Sequence, residues 1–121
     1  MQIPDWLSPL DTAHDRAGRY LAGLPDRAVH ATAGMPELRA ALGGPLPAEG
    51  EEPRQVITEL ADHADAGLVP TGSGRFFGWV FGGALPAALA ADWLTSAWDQ
   101  NAFIAGSSPA AAAVELSLIH I

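Results

Sequence analysis

Residues 75–101 read RFFGWVFGGALPAALAADWLTSAWDQN. After Arg75 no charged residue occurs until Asp92. The uncharged run from Phe76 to Ala91 is shorter than the roughly 20 apolar residues that cross a bilayer. It is also interrupted by Gly78, Gly82, Gly83 and Pro86, so a core or a subunit interface is the reading, not a membrane span. The aromatic part, Phe76 to Phe81, reads as an extended segment. From Leu85 to about Asn101 the spacing predicts a helix that is apolar nearly all round, and such a helix is expected to be buried.

Outward from this stretch the chain divides by charge. Residues 1–66 carry eleven of the fourteen acidic groups and five of the six basic ones, while residues 67–121 carry only Arg75, Asp92, Asp99 and Glu115. The second half is therefore expected to be covered. All six basic residues are arginine and there is no lysine. A net charge of −8 repels phosphate backbones and anionic lipid, which makes nucleic acid and membrane surfaces poor partners. Zero cysteines exclude a disulfide framework and thiolate metal sites, and nothing near Met1 reads as a secretory signal, so a cytoplasmic location is the expectation.

Before the aromatic stretch three amphipathic helices are predicted. Ser8-Pro9-Leu10-Asp11 reads as a helix start with Ser8 as N-cap and Pro9 at the first helical position. Leu10, Ala13, Ala17, Tyr20, Leu21 and Leu24 then recur at helical spacing, and Gly23 and Pro25 end the helix. A short helix runs from Pro36 to Leu42 and stops at Gly43-Gly44-Pro45. A third begins near Glu51-Glu52-Pro53, presents Val56, Ile57, Leu60, Ala61 and Ala64, and closes at Gly67. Each has one stripe to bury and there is no large common core, so these helices are expected to pack onto something else.

The block from Arg75 to Glu115, with Phe76-Phe77-Gly78-Trp79, Leu85-Pro86-Ala87 followed by Asp92, and Ser108-Pro109-Ala110, resembles the N-terminal part of the group II pyridoxal-phosphate-dependent decarboxylases. These are the aromatic-amino-acid and glutamate decarboxylases. The resemblance is close over Arg75–Glu115 and loose over the rest of residues 10–115. It implies a mainly α fragment, the N-terminal segment of an α/β fold-type I transferase-like enzyme. In that arrangement residues 1–70 form a helical flap packing against the partner subunit of a homodimer, and residues 71–115 begin the major domain. It also implies an amino-acid substrate and pyridoxal 5′-phosphate as cofactor, held by a lysine with a histidine on its ring and an aspartate at its pyridine nitrogen, all beyond Glu115. The fragment alone is expected to be inactive. By the same resemblance Trp79, Val80 and Phe81 line the substrate pocket, and Phe103, after Asn101-Ala102, is contributed to it from the partner chain. Bacterial relatives more often have a Gly-Leu-Tyr-Ala-like run where this chain has Phe103-Ile104-Ala105-Gly106. An aminotransferase of the same fold is the alternative chemistry, since fold does not fix reaction; a small helical interaction module is the alternative class.

Read from the residues alone, Trp79 is flanked by Gly78, Gly82 and Gly83, which leave room for close approach of a ligand, while a core aromatic is the competing reading. Trp93 and Trp98, five apart on the predicted helix, read as core or interface packing. Gly72, Gly74 and Gly78 miss the dinucleotide spacing by one place, and Ser73 lacks the context of a nucleophile elbow. Asp62, His63 and Asp65 read as a solvated helix surface, as does His14 with Asp11 and Asp15; no metal site is expected. Residues 116–121, Leu-Ser-Leu-Ile-His-Ile, break with the preceding pattern. They resemble translated adapter sequence and are read as a non-native tail.

Overall fold

The computed structural model describes residues 4–120. Among them are five α-helices, a single 3-10 turn and no β-strand, in keeping with a mainly α chain. The readings that fall on Met1 and Ile121, the missing signal and the end of the tail, lie outside the described residues. The chain separates into two compact units, Met1–Phe81 and Gly82–Ile121.

The first unit is built on α1 (Leu7–Gly23), α2 (Met35–Leu42) and α3 (Pro53–Ala64), the last running into a 3-10 turn, Asp65–Gly67. Helix α1 starts one residue before the predicted Ser8 cap. The Asp5 carboxylate accepts the backbone N–H groups of Leu7 and Ser8, both at 3.1 Å, where an anion also meets the positive end of the helix dipole. Ser8 is thereby drawn inside the first turn. Its neighbour Pro9 costs nothing there, because N–H groups of the first turn have no partner within the helix. Helix α3 starts as predicted, with Glu52 accepting from the Gln55 N–H at 3.0 Å and Pro53 in the first turn.

Helices α1 and α3 pack on each other, and α2 packs on α3. The covered face of α1 is Ala13, Arg16, Ala17 and Tyr20, and that of α3 is Ile57, Ala61 and Ala64, all half-buried. Leu10, Leu21, Val56 and Leu60, expected on the packed stripes, are exposed. The contact is made by small alanines, so it covers a narrow strip and leaves the larger side chains at its edges outside. No residue of α1, α2 or α3 is fully buried. The absence of a large common core was legible from three single-stripe helices.

What fixes this thin layer is polar. Arg16 grips the Asp62 carboxylate with both guanidinium ends, one of them at 3.2 Å, joining α1 to α3. The long connection after α1 caps the end of α3: Thr32 and Ala33 donate their N–H groups to the Ala66 carbonyl at 2.8 and 2.9 Å. These bonds satisfy a carbonyl that the helix terminus leaves without an internal donor. Gly67 allows Leu38 of α2 to approach, since a Cβ there would lie 2.6 Å from a Leu38 methyl.

The second unit holds α4 (Pro86–Trp98) and α5 (Pro109–Ile119). Asp99 ends α4 in the left-handed conformation, φ 47°, its N–H donating to the Thr95 carbonyl at 3.1 Å. Helix α4 was expected to be buried, and it is not: Leu89 and Trp93 are half-covered and the rest is exposed. A helix apolar all round needs neighbours on every side, and the described residues of this unit offer one further helix and a loop. Of α5 only Ala112 is buried. Leu116 to Ile119 continue α5 without a break, since leucine is a strong helix former and no glycine or proline interrupts the run.

Candidate functional site

The segment that follows Pro70 is a chain of turns. Ser73 donates its N–H to the Pro70 carbonyl at 2.9 Å, and Phe76 donates to the Ser73 carbonyl at 3.0 Å. The buried Ser73 hydroxyl accepts the Arg75 N–H at 3.3 Å. The expected extended course of Phe76 to Phe81 is not what forms. The Phe76 ring folds back over Gly78, where an added Cβ would lie 3.0 Å from it. Trp79 then takes the left-handed conformation, φ 43°. For a side chain with a Cβ this region costs roughly 1–2 kcal/mol, so it persists only where surrounding contacts hold it.

The turn has a geometric consequence. In a strand, residues 79 and 81 would share one face and residue 76 the other. Here Phe76 and Trp79 both reach Phe81. The Phe76 and Phe81 ring centroids are 5.9 Å apart at 51°, and those of Trp79 and Phe81 are 6.1 Å apart at 89°, an edge-to-face pair. Both spacings fall in the favourable range for aromatic pairs. Glycine at 78 makes this possible, as the sequence reading anticipated in proposing close approach, though it placed the approach at a ligand and not at Phe76.

Of the predicted pocket residues, Trp79 and Phe81 are brought together and Val80 points away with its side chain entirely exposed. Trp79 is 82 % exposed and Phe81 56 % exposed. The core reading of Trp79 is thereby removed for this chain. The aromatic cluster is a surface, with the Phe81 ring as its base and the Trp79 indole as its raised edge. Phe103 belongs to the second unit and is 90 % exposed. Its loop is ordered by Asn101, whose side-chain oxygen accepts the Phe103 N–H at 2.9 Å and whose own N–H donates to the buried Ser108 hydroxyl at 3.3 Å.

Two features escaped the reading of the sequence. Asp62, His63 and Asp65 are exposed, as read, and two of them also hold ion pairs, Asp62 with Arg16 of α1 and Asp65 with Arg27 of the connection after it. The partners stand 46 and 38 positions apart, and a single sequence does not pair them. The second is a groove of about 670 Å³ between α1 and α3, floored by Ala13, Ala17 and Ala61 and walled by Tyr20 and Leu60, with both ion pairs at its rim. Among the described residues no group of three histidine, aspartate or glutamate side chains is placed to hold a metal ion, and no helix is long and apolar enough to cross a membrane.

Comparison with protein-family models, with characterised proteins and with solved structures gives no match to this chain.

Proposed function

We propose that this chain is the N-terminal portion of a pyridoxal-phosphate-dependent amino-acid decarboxylase, a cytoplasmic carboxy-lyase working as a homodimer. In this reading the helical layer is a flap that packs on the partner subunit, and the aromatic segment is one wall of the substrate pocket. The observation that carries it is the Trp79–Phe81 pair: two rings held edge to face, on a left-handed turn, with most of the indole open. Such a surface suits the side chain of an amino acid, offering a π face for stacking and an edge that limits its tilt. Its contribution to catalysis would be positioning, which lowers a barrier by fixing the angle of the bond to be broken. Val80 and Phe103 are further wall candidates, Phe103 by way of the partner chain.

The cofactor itself does not fit the residues present. With no lysine in the sequence, nothing in this chain other than its α-amino group can hold the aldehyde covalently, so no chemical step is assigned through it here. When bound in the full-length parent, the group would supply the electron sink for loss of carbon dioxide.

One observation favours a second reading, a small helical interaction module. The apolar surface of α4 and α5 is open, with Leu94, Trp98, Val114 and Leu118 all exposed, and an exposed patch of this kind marks an interaction site. Two measurements separate the readings. Extending the reading frame of the source DNA past Glu115 is expected to reveal a Ser-x-x-His-Lys-type segment. The isolated chain is expected to self-associate through the exposed apolar residues of its second unit. A frame without the lysine segment, together with a monodisperse monomer melting in one step, would return the chain to the interaction module.

A further inference from the structure

Arg27 lies between the end of α3 and the start of the aromatic segment, and its ties run in both directions. Its guanidinium donates to the Asp65 carboxylate at 2.9 Å and to the Asp65 backbone carbonyl at 3.0 Å, at the negative end of α3 where a cation is favoured. The same group sits 4.9 Å from the centre of the Tyr20 ring at the end of α1. Its backbone N–H donates to the Gly23 carbonyl at 3.1 Å. In the other direction, its carbonyl accepts a hydrogen bond from the Arg75 guanidinium. Arg75 immediately precedes Phe76, and its N–H is held by the Ser73 hydroxyl. The residue that leads into the aromatic segment is thus fixed through both its main chain and its side chain.

We infer that Arg27 is a latch that sets the course of residues 76–81 from the helical layer, through its own backbone and Arg75. The strained turn at Trp79 needs surrounding contacts to persist, and this is the polar route by which α1 and α3 reach it. An arginine suits the task because its planar guanidinium lies flat over an aromatic face while its in-plane N–H groups donate in a fixed geometry, whereas an ammonium is a compact point charge on a flexible stem. Asp65 is more than half exposed while Arg27 is 24 % exposed, so the latch is open to screening by salt. The inference does not depend on the chain being part of a decarboxylase, and its test reads no enzyme activity.

The experiment uses the 121-residue chain with Trp6→Phe, Trp93→Phe and Trp98→Phe, so that Trp79 is the one indole. Time-resolved anisotropy then reports its mobility, far-ultraviolet circular dichroism reports the helices, and amide exchange reports Thr32 and Ala33. Asp65→Asn alters a residue outside the aromatic segment. With helix content retained, it is expected to speed exchange at Thr32 and Ala33 by about tenfold and to lower the Trp79 anisotropy. Arg75→Gln is expected to lower the anisotropy to the same value and to leave Thr32 and Ala33 protected. The double variant is expected to add nothing to the anisotropy change, because both breaks lie on one route. Arg27→Lys is expected to behave as Asp65→Asn does, and high salt to reproduce the loss in the parent chain. Unchanged Trp79 anisotropy in Asp65→Asn, or additive changes in the double variant, overturns the inference. So does loss of helix content in Asp65→Asn, which would make the cluster a general stability element and not a latch.

Discussion

Replacing Trp79 separates the two accounts of the aromatic segment by magnitude and by order. At 82 % exposure, roughly a fifth of an indole side chain of about 250 Å² is covered, which at about 25 cal/mol per Å² is worth about 1 kcal/mol. The edge-to-face pair with Phe81 adds about 0.5–1.5 kcal/mol. Trp79→Ala is therefore expected to lower unfolding stability by about 1.5–2.5 kcal/mol, below the about 3–5 kcal/mol lost when a core tryptophan is truncated. Alanine keeps the Cβ and with it the cost of φ 43°. Trp79→Gly removes that cost, about 1–2 kcal/mol, against about 0.5–1 kcal/mol for the extra freedom of glycine in the unfolded chain. The glycine variant should thus be the more stable of the two by up to about 1.5 kcal/mol, although it has lost more atoms. Urea unfolding followed by circular dichroism measures both differences on the same scale. A glycine variant less stable than the alanine variant would refute the left-handed turn. A loss above about 4 kcal/mol for Trp79→Ala would restore the buried tryptophan. In the full-length parent, Trp79→Ala is expected to raise KM if the stacking contact is equal in ground and transition states, and to lower kcat as well if the contact sets the angle of the bond that breaks.

Gly43→Ala places a methyl 2.5 Å from the Arg39 carbonyl oxygen, which is main chain and cannot swing aside; the last turn of α2 should open, with loss of the Gly43 N–H bond to Arg39 and about 1–2 kcal/mol of stability, read as a lower Tm. An unchanged Tm would show that α2 does not end there. A double-mutant cycle on Arg16→Ala and Asp62→Ala should give a coupling of about 0.5–1 kcal/mol, the upper range for a half-exposed pair with two-point geometry, shrinking in about 1 M salt; zero coupling would remove the ion pair from the account of how α1 and α3 are held. Pyridoxal phosphate added to the 121-residue chain should give no saturable visible band, and a stoichiometric band that survives blocking of the α-amino group would contradict the absence of a reactive amine in the sequence.

The fold was legible where a local rule decides it. Pro53 after two glutamates started α3, Gly23 and Pro25 ended α1, and Gly43 ended α2, each within a residue of where the backbone does these things. These are short-range effects of a missing N–H, a missing Cβ or a charge at a helix end, and the residue that causes each is in the sequence at the place where it acts. The miss at Ser8 is of the same short range: Asp5, three residues earlier and charged, takes the N–H groups of Leu7 and Ser8. The ion pairs were not legible for the opposite reason. Nothing in Arg16 or Asp62 names its partner 46 positions away, and a polar helix face looks the same whether it meets water or another helix.

The aromatic segment shows why the candidate site was only half legible. The room that glycine leaves at 78 is taken up by the Phe76 ring, which an added Cβ would meet at 3.0 Å. Which course is taken depends on the contacts available, and a strand was the default for a run of Phe, Trp and Val. The described residues contain no strand to pair with it. Without a ladder partner an extended segment leaves its N–H and carbonyl groups to water and its two faces bare. A turn that gathers Phe76, Trp79 and Phe81 covers part of that surface at the cost of one left-handed residue. If a partner layer is present in a longer parent, α4 gains the cover that its all-round apolar surface calls for, and Phe76–Phe81 gains a possible ladder partner. The left-handed turn at Trp79 is then the feature most open to change. Its persistence in the parent, read by the same alanine and glycine pair, would mean that the aromatic surface is set by the segment and its latch and not by the absence of a neighbour.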